Sequence, residues 1–473
     1  MNANPPPRKL SAALSFAVLT SGLLAWSQET PPSATARPPS ASASAASAPL
    51  PAYTNLPSAL PPLDYRSSVA SPEVAYTNLP PALPPMESGR LQSPALAGTS
   101  QLAAQPPPAD SPPAPLLQWG PVQFQPYVNY RFSYGDGLRA RSGESSKSVI
   151  QQLSPGILLL LGDQWSLNYT PTFSFYSSSD FRDKVDHTVS LSGGTSYEDW
   201  TFRLSQSYAR SSSPLVETEA QTDQESFSTS LGAGYSLNSK VSFDFGLSQS
   251  LRFTDGTADD QQLTDSKDWG TMNWVNYHIA PPLSVGVGAG GGYVEVSTGS
   301  DMTYQQLQGR VNWVVVERLS LSANAGVDFR QFRDSDASSV ANPIFGLSAQ
   351  YQLFEPTSLF INAGHSVSAS YYSDQLTETT SVSVGVNQRL LGKLSLNVSG
   401  SYGTTTYSST SSSATTGSVG DYDYTSFNVR LSTRFLKRAT AGAFYQVSYR
   451  NSSGPNADDY TTTQVGFDLG YRF

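Results

Sequence analysis

The stretch Thr461–Phe473 reads TTTQVGFDLGYRF. Val465, Phe467, Leu469, Tyr471 and Phe473 fall on one parity, while Gln464, Gly466, Asp468, Gly470 and Arg472 fall on the other. Successive side chains of a strand point to opposite faces, so this segment reads as a strand with one apolar face and one polar or tiny face. In a soluble sheet a final strand rarely ends on an exposed aromatic, because little is gained from its burial.

Working outward from this strand, the same alternation fills the chain from Gln118 onward. Parity marks eighteen candidate strands, at 121–134, 148–161, 164–176, 185–197, 200–210, 225–237, 241–253, 269–280 and 283–296, then at 303–316, 319–333, 343–354, 358–372, 379–390, 394–406, 422–435, 439–450 and 461–473. Most are far longer than the five or six residues usual in globular sheets, whereas about 9–11 tilted residues cross a bilayer. The connections alternate in length. Short ones, such as Glu198-Asp199, Pro281-Pro282, Glu317-Arg318 and Gly392-Lys393, follow even strands; long Ser/Asp/Gly/Thr-rich ones, such as 135–147, 211–224, 254–268 and 407–421, follow odd strands. A meander with two different ends produces this alternation, and a Greek-key sandwich does not. The fold expected is an all-β transmembrane antiparallel up-and-down barrel of about 18 strands (16–20). Val294 and Val296 switch parity relative to Tyr293, which suggests a bulge, and Gln206, Gln249 and Gln388 place amides on the nominal lipid face.

Composition agrees. Charged residues are 14% of 473 and aromatics 11%, with mean hydropathy −0.30, so Ser, Thr, Gly, Asn and Gln carry the polarity. That mixture suits strands with a lipid face and a water face. No window offers 18 consecutive apolar residues, which leaves no transmembrane helix apart from the N-terminal segment. The absence of cysteine removes disulfides, thiolate metal sites, a Cys nucleophile and a Cys-linked lipid anchor. A net charge of −9 argues against a nucleic-acid partner.

Arg8 and Lys9 followed by an apolar run from Leu10 to Leu24 read as a signal peptide over 1–27. Residues 28–117 are rich in Pro, Ala and Ser, and 21 of the 34 prolines lie between Pro31 and Pro115. Such a segment buries too little apolar surface to offset its ordering entropy, so disorder is expected, on the periplasmic side. Within it AYTNLPSALPP (Ala52–Pro62) recurs as AYTNLPPALPP (Ala75–Pro85), either a duplicated spacer or a docking motif for a periplasmic or cell-wall partner. The barrel is assigned to 118–473.

Chemistry-bearing motifs are sparse. Gly286-x-Gly288-x-x-Gly291 lies inside a strand pattern with no helix following, so it is not a dinucleotide site. Of three histidines, His187 and His365 share parity with apolar neighbours and His278 points inward; Asp186 and Ser366, adjacent in sequence, face the opposite side. No enzyme activity, cofactor or metal is expected. The acidic loops (Asp255, Asp259, Asp260, Asp265, Asp268; Asp421, Asp423; Asp458, Asp459) lack the spacing of a calcium loop and read as solvated charge. The inward face carries Arg131, Arg203, Arg252, Arg310, Arg330, Arg389, Arg430, Arg434, Arg450 and Arg472 against Asp186, Asp244, Asp328 and Asp468, an excess of six positive charges in an acidic chain. These side chains either brace neighbouring strands or set the ion preference of a lumen.

On its meander, its Ser/Tyr-rich strands and its terminal Phe473, the segment 118–473 resembles bacterial outer-membrane β-barrel proteins of the porin-like group. The resemblance implies an outer-membrane location, and an assembly signal in Phe467, Leu469, Tyr471 and Phe473 read by the barrel-assembly machinery. Barrels of this size generally enclose an aqueous channel. The expected function is therefore passive or weakly anion-selective diffusion of small anionic or neutral solutes, with outer-membrane lipids around the wall. The alternative is a component of envelope polysaccharide export or anchoring.

Overall fold

The computed structural model describes residues 117–473 except 142–143, 163, 215–216, 218–220, 256, 259–260, 334–336, 411–419 and 454–458. The expected signal peptide, and all but the last residue of the expected Pro-rich segment, lie outside the described residues.

The alternating segments form eighteen long strands. In chain order they are β1 (Val122–Arg141), β2 (Glu144–Leu161), β3 (Trp165–Tyr176), β4 (Lys184–Tyr197), β5 (Trp200–Pro214), β6 (Gln221–Ser236), β7 (Val241–Asp255), β8 (Ser266–Ala280) and β9 (Leu283–Val296). The second half supplies β10 (Met302–Val316), β11 (Leu319–Phe332), β12 (Val340–Phe354), β13 (Thr357–Ala369), β14 (Gln375–Leu390), β15 (Leu394–Ser409), β16 (Tyr422–Arg434), β17 (Ala439–Ser452) and β18 (Tyr460–Arg472). Each pairs antiparallel with the next, and β1 pairs with β18 from Tyr127↔Arg472 to Asp136↔Thr463. The sheet is a closed up-and-down barrel, as the short/long alternation of connections requires.

The seam is secured by more than the ladder. The Phe473 N–H donates to the Pro126 carbonyl at 3.0 Å, and the Phe132 and Phe467 rings stack at 5.4 Å. Phe467, Leu469, Tyr471 and Phe473 are all exposed on the outer wall. Apolar residues on that wall stay exposed around the whole circumference, among them Ile157, Leu247, Val287, Ile361 and Val465.

Three local expectations are corrected. The segment 211–224, read as a loop, is mostly strand, since β5 runs to Pro214 and β6 begins at Gln221, with the two paired up to Pro214↔Gln221. The segment 135–147, read as a loop, is mostly strand: β1 and β2 continue to Arg141 and from Glu144, with register shifts at Gly135/Leu138 and Arg139/Arg141. Its Ser/Gly/Arg composition hid the pairing because this extension has no continuous lipid face. It is held by Leu138 packed with Ile150, Phe181 and Tyr176. The remaining correction concerns Val294 and Val296. No bulge occurs there, since β8 and β9 stay in register from Trp269↔Tyr293 to Ser266↔Val296, and the irregularity lies at His278/Ala280. Val294 is turned inward, 2% exposed, against Met302, Val367 and Leu376.

Gly137, at φ 71°, lies where the extension of β1 passes β18, and a Cβ there would sit 1.9 Å from the Thr461 carbonyl oxygen. Backbone cannot retreat as a side-chain tip can, and only glycine adopts this φ without strain. Gly137→Val is therefore expected to lose the heat-modifiable band of a folded barrel on a semi-native gel. Gly232→Ala, whose nearest atom would be the Arg203 Cβ at 3.9 Å, should retain it.

Candidate functional site

The interior is divided along its axis. Toward the short-turn end the lumen is open to water: the inward side chains of β5, Thr201, Arg203, Ser205 and Ser207, are all exposed, as are Arg389 and Arg472. Toward the long-loop end the inward residues are buried, including Ser133, Gln152, Asp328, Arg330, Thr379 and Arg450.

Charge pairs cross the inner wall. Arg430 Nη2 donates to Asp468 Oδ2 at 2.6 Å, and Arg131, opposite Asp468 in the β1–β18 register, lies 3.9 Å over the Phe444 ring. Arg310 pairs with Asp244, donates from Nε to Asn276 Oδ1 at 2.8 Å, and lies 4.4 Å over Trp274. Arg330 pairs with Asp328, two residues away on β11, at 3.1 Å. Asp186 pairs with Lys184 at 3.0 Å, a lysine whose parity already matched that of Asp186 in the sequence. All four inward aspartates are thus bound to a cation. Arg450 stacks 4.5 Å over Tyr422, and Arg434 is half-buried near the short turns. Arg139, inside the segment read as a loop, lies 4.4 Å over Tyr460.

The histidines lie apart from one another. His187 Nδ1 is 3.1 Å from the Tyr169 hydroxyl, His365 Nδ1 is 2.8 Å from Thr380 Oγ1, and His278 Nδ1 is 3.3 Å from the Lys240 carbonyl. Among the described residues no group of three His, Cys, Asp or Glu could hold a metal ion. Asp265 Oδ1 accepts from the Thr254 N–H, Asp421 Oδ1 from the Tyr407 N–H and Asp459 Oδ1 from the Ser452 N–H, so these loop carboxylates cap turns; Asp259, Asp260 and Asp458 lie outside the described residues.

What closes the long-loop end was not visible in the sequence. β12 registers with β13 only from Phe354↔Thr357 to Phe345↔His365, although β12 stays paired to β11 as far as Val340 and β13 runs on to Ala369. Beyond His365 the β13–β14 hairpin leaves β12 and leans across the lumen. Arg330 Nη2 donates to the Val367 carbonyl at 2.7 Å. Arg252, on β7, donates from Nη2 to the Ser370 carbonyl at 2.8 Å and lies 3.8 Å over the Tyr371 ring. The Thr264 N–H donates to the Tyr371 carbonyl, and the Thr410 N–H to the Asp374 carbonyl, each at 2.8 Å. Val294 and Met302 face inward because the hairpin covers them.

The far side of the lumen supplies a latch. Glu217, from the β5–β6 loop, accepts at Oε1 from the Ser370 hydroxyl at 2.6 Å and from the Tyr371 N–H at 2.9 Å. The Tyr371 hydroxyl donates to Gln224 Oε1 at 3.1 Å. Burial pushes the Glu217 carboxyl above its ordinary value, and the two hydrogen bonds and the charges of Arg252 and Arg450 pull it back only in part.

No family model matches the chain, and no curated protein sequence matches it. Solved structures do. Pseudomonas aeruginosa OccK2 (OpdF), in complex with glucuronate, is 12% identical over 74% of this chain and 98% of its own, with a TM-score of 0.39. Acinetobacter baumannii OccAB4 is 11% identical over 74% and 98%, at 0.37. The copper transporter OprC is 13% identical over 71%, at 0.38, and this chain spans about 61% of its length. The chain's own eighteen registered strand pairs give it the architecture of a transmembrane β-barrel.

Arg330 and Asp328 are 5% and 1% exposed, and Arg330 also ties β11 to the hairpin. Removing one member of a buried pair leaves the other uncompensated, at a cost of about 3–5 kcal/mol. Arg330→Leu is expected to lower the denaturation midpoint in detergent by a corresponding margin. Asn312→Leu, at an exposed position, should leave it nearly unchanged.

Proposed function

We propose that this protein is a porin-like channel of the bacterial outer membrane, passing small anionic or neutral solutes, with its short turns and residues 28–117 on the periplasmic side. The observation that carries the reading is the water-exposed inward face of β5 inside a closed wall whose outer surface is apolar. Arg203, Arg389 and Arg472 stand exposed there and give the periplasmic vestibule its positive bias. The hairpin of β13 and β14 narrows the outer mouth. A weak anion preference follows, because each exposed charge is screened over roughly 8–10 Å at physiological salt.

The full chain in a planar bilayer should give steady conductance steps without a partner, and reversal potentials in a salt gradient should show a modest anion preference. Replacing Arg203, Arg389 and Arg472 together with Glu should shift the reversal potential toward cations. Absence of steps, or a cation-selective wild type, would overturn the reading.

The latch adds a pH dependence with a defined sign. The charged and titratable groups facing Glu217 are Arg252 on β7, Arg450 on β17, Tyr371 and Tyr372 in the hairpin turn, Tyr407 on β15 and Tyr422 on β16. A carboxyl whose value is raised by burial favours the closed arrangement when protonated. That arrangement gains stability as pH falls toward the ordinary carboxyl range, and loses it as pH rises through the raised value. Conductance should therefore be higher at neutral pH than at acid pH. Glu217→Gln should hold the acid-pH level throughout, whereas Glu217→Ala, which removes the acceptor of Ser370 and Tyr371, should raise conductance at every pH.

A further inference from the structure

The outer wall carries a run of amides on one side, whereas its outward histidines elsewhere are paired, His187 with Tyr169 and His365 with Thr380. Each strand from β5 to β8 carries outward aromatics toward both ends of its membrane-crossing part: Trp200 and Tyr208 on β5, Tyr235 and Phe227 on β6, Phe243 and Phe253 on β7, Tyr277 and Trp269 on β8. They join laterally into two belts. The Trp200 and Tyr235 rings lie 4.8 Å apart at the short-turn end; Tyr208 and Phe227 lie 4.7 Å apart, and Phe227 and Phe253 6.3 Å, at the other. Such belts mark the two membrane–water interfaces, so outward residues between them face hydrocarbon.

Between these belts lie Gln206, Thr229, Gln249, Thr271 and Asn273, and the stripe continues to Gln305 on β10. Gln206, Thr229 and Gln249 stand side by side in register across three strands. Some of their capacity is met locally: Thr229 donates to Gln249 Oε1 at 3.4 Å, and Asn273 donates to Thr271 Oγ1 at 3.2 Å. Among the described residues the exposed amides of Gln206 and Gln305 find no partner. Acyl chains cannot hydrogen-bond them, and an amide left bare in hydrocarbon is costly. On the other side of the barrel, outward positions include Val384, Val398, Val429, Tyr445 and Phe467.

Beside the stripe the wall is hollowed. Ala233 sits in register between Phe202 and Phe245, and the missing bulk leaves a depression of about 620 Å³ walled by Leu204, Leu231 and Leu247. Leu247 is 59% exposed.

We propose that this face, β5 to β10, is the surface on which a second copy of the chain docks within the membrane. Three features select that occupant. The partner must offer hydrogen-bonding groups at the same depth, which an identical barrel does by construction. The stripe is neutral, and amides and hydroxyls both donate and accept, so the face suits itself rather than a charged partner. Six strands at ~4.8 Å spacing, over an apolar band ~25 Å tall, present on the order of 600 Å². That approaches the roughly 800 Å² per partner of a stable interface. The inference rests on the membrane location proposed above.

The chain has no cysteine, so introduced thiols report without background. The full chain carrying Gln206→Cys with Gln305→Cys, oxidised in isolated outer membranes, should give covalent bands at whole multiples of the monomer mass. This pair captures both a face meeting its own image and one edge meeting the other. Val384→Cys with Phe427→Cys, on the opposite wall, should remain monomeric. Monomer alone from the first pair, equal bands from both pairs, or a conjugate to a different protein would each overturn the proposal. Independently, Gln206→Leu, Gln249→Leu and Asn273→Leu combined should leave a heat-modifiable barrel whose mass in mild detergent falls from multimer to monomer; a retained multimer would refute the role of the stripe. Membrane fractionation of the same samples separates the two readings, since a folded barrel outside the membrane would defeat the location itself.

Discussion

Hydrocarbon offers a peptide group nothing to bond. Any sheet that crosses it must satisfy every N–H and C=O internally, and only a closed barrel does so. The β1–β18 pairing is therefore the contact on which the other seventeen depend, because without it two edges would face lipid. The same constraint fixes the parity of the chain. Once the wall is closed, the apolar set must face out and the polar set in, which inverts the arrangement of a soluble sheet and explains a sequence at once aromatic, polar and poor in charge.

Turning polar groups inward creates a second problem, for buried charge needs compensation. Here most of the cations act first as structure. Arg310, Arg330 and Arg430 neutralise the carboxylates of Asp244, Asp328 and Asp468, while Arg252 and Arg450 lie over tyrosine rings near the long-loop end. The inward arginines left exposed, Arg203, Arg389 and Arg472, lie toward the short-turn end. Arg252, over the Tyr371 ring, and Arg330, on the Val367 carbonyl, also hold the β13–β14 hairpin inward, so bracing of the wall and closure of this end share side chains.

How far this was legible in the sequence follows from what each feature obeys. Strand number, seam and turn alternation follow a period of two imposed by lipid, and they were readable. Past the membrane that pressure ends, and the 135–147 extension reads as a loop for that reason although it is paired strand. Val294 looked like a bulge because its inward apolar side chain answers to the hairpin, a contact about seventy residues away in sequence. Glu217 had no local signal, since its partners Ser370 and Tyr371 are brought to it by the curvature of the barrel. Parity placed arginines on the inner face; it did not say which of them would meet an aspartate.

The departure of β13 from β12 has one more consequence. From Val340 to Ile344, β12 has no registered partner on that side and becomes a short free sheet edge at the rim. Free edges recruit foreign strands through their unpaired backbone donors. The segment reads VANPI, and Pro343 lies within it, registered to Val327 on its paired side. Proline has no N–H to offer an incoming strand. The opening made by folding the hairpin inward is thus guarded against strand addition by one residue that would be out of place in a fully paired wall.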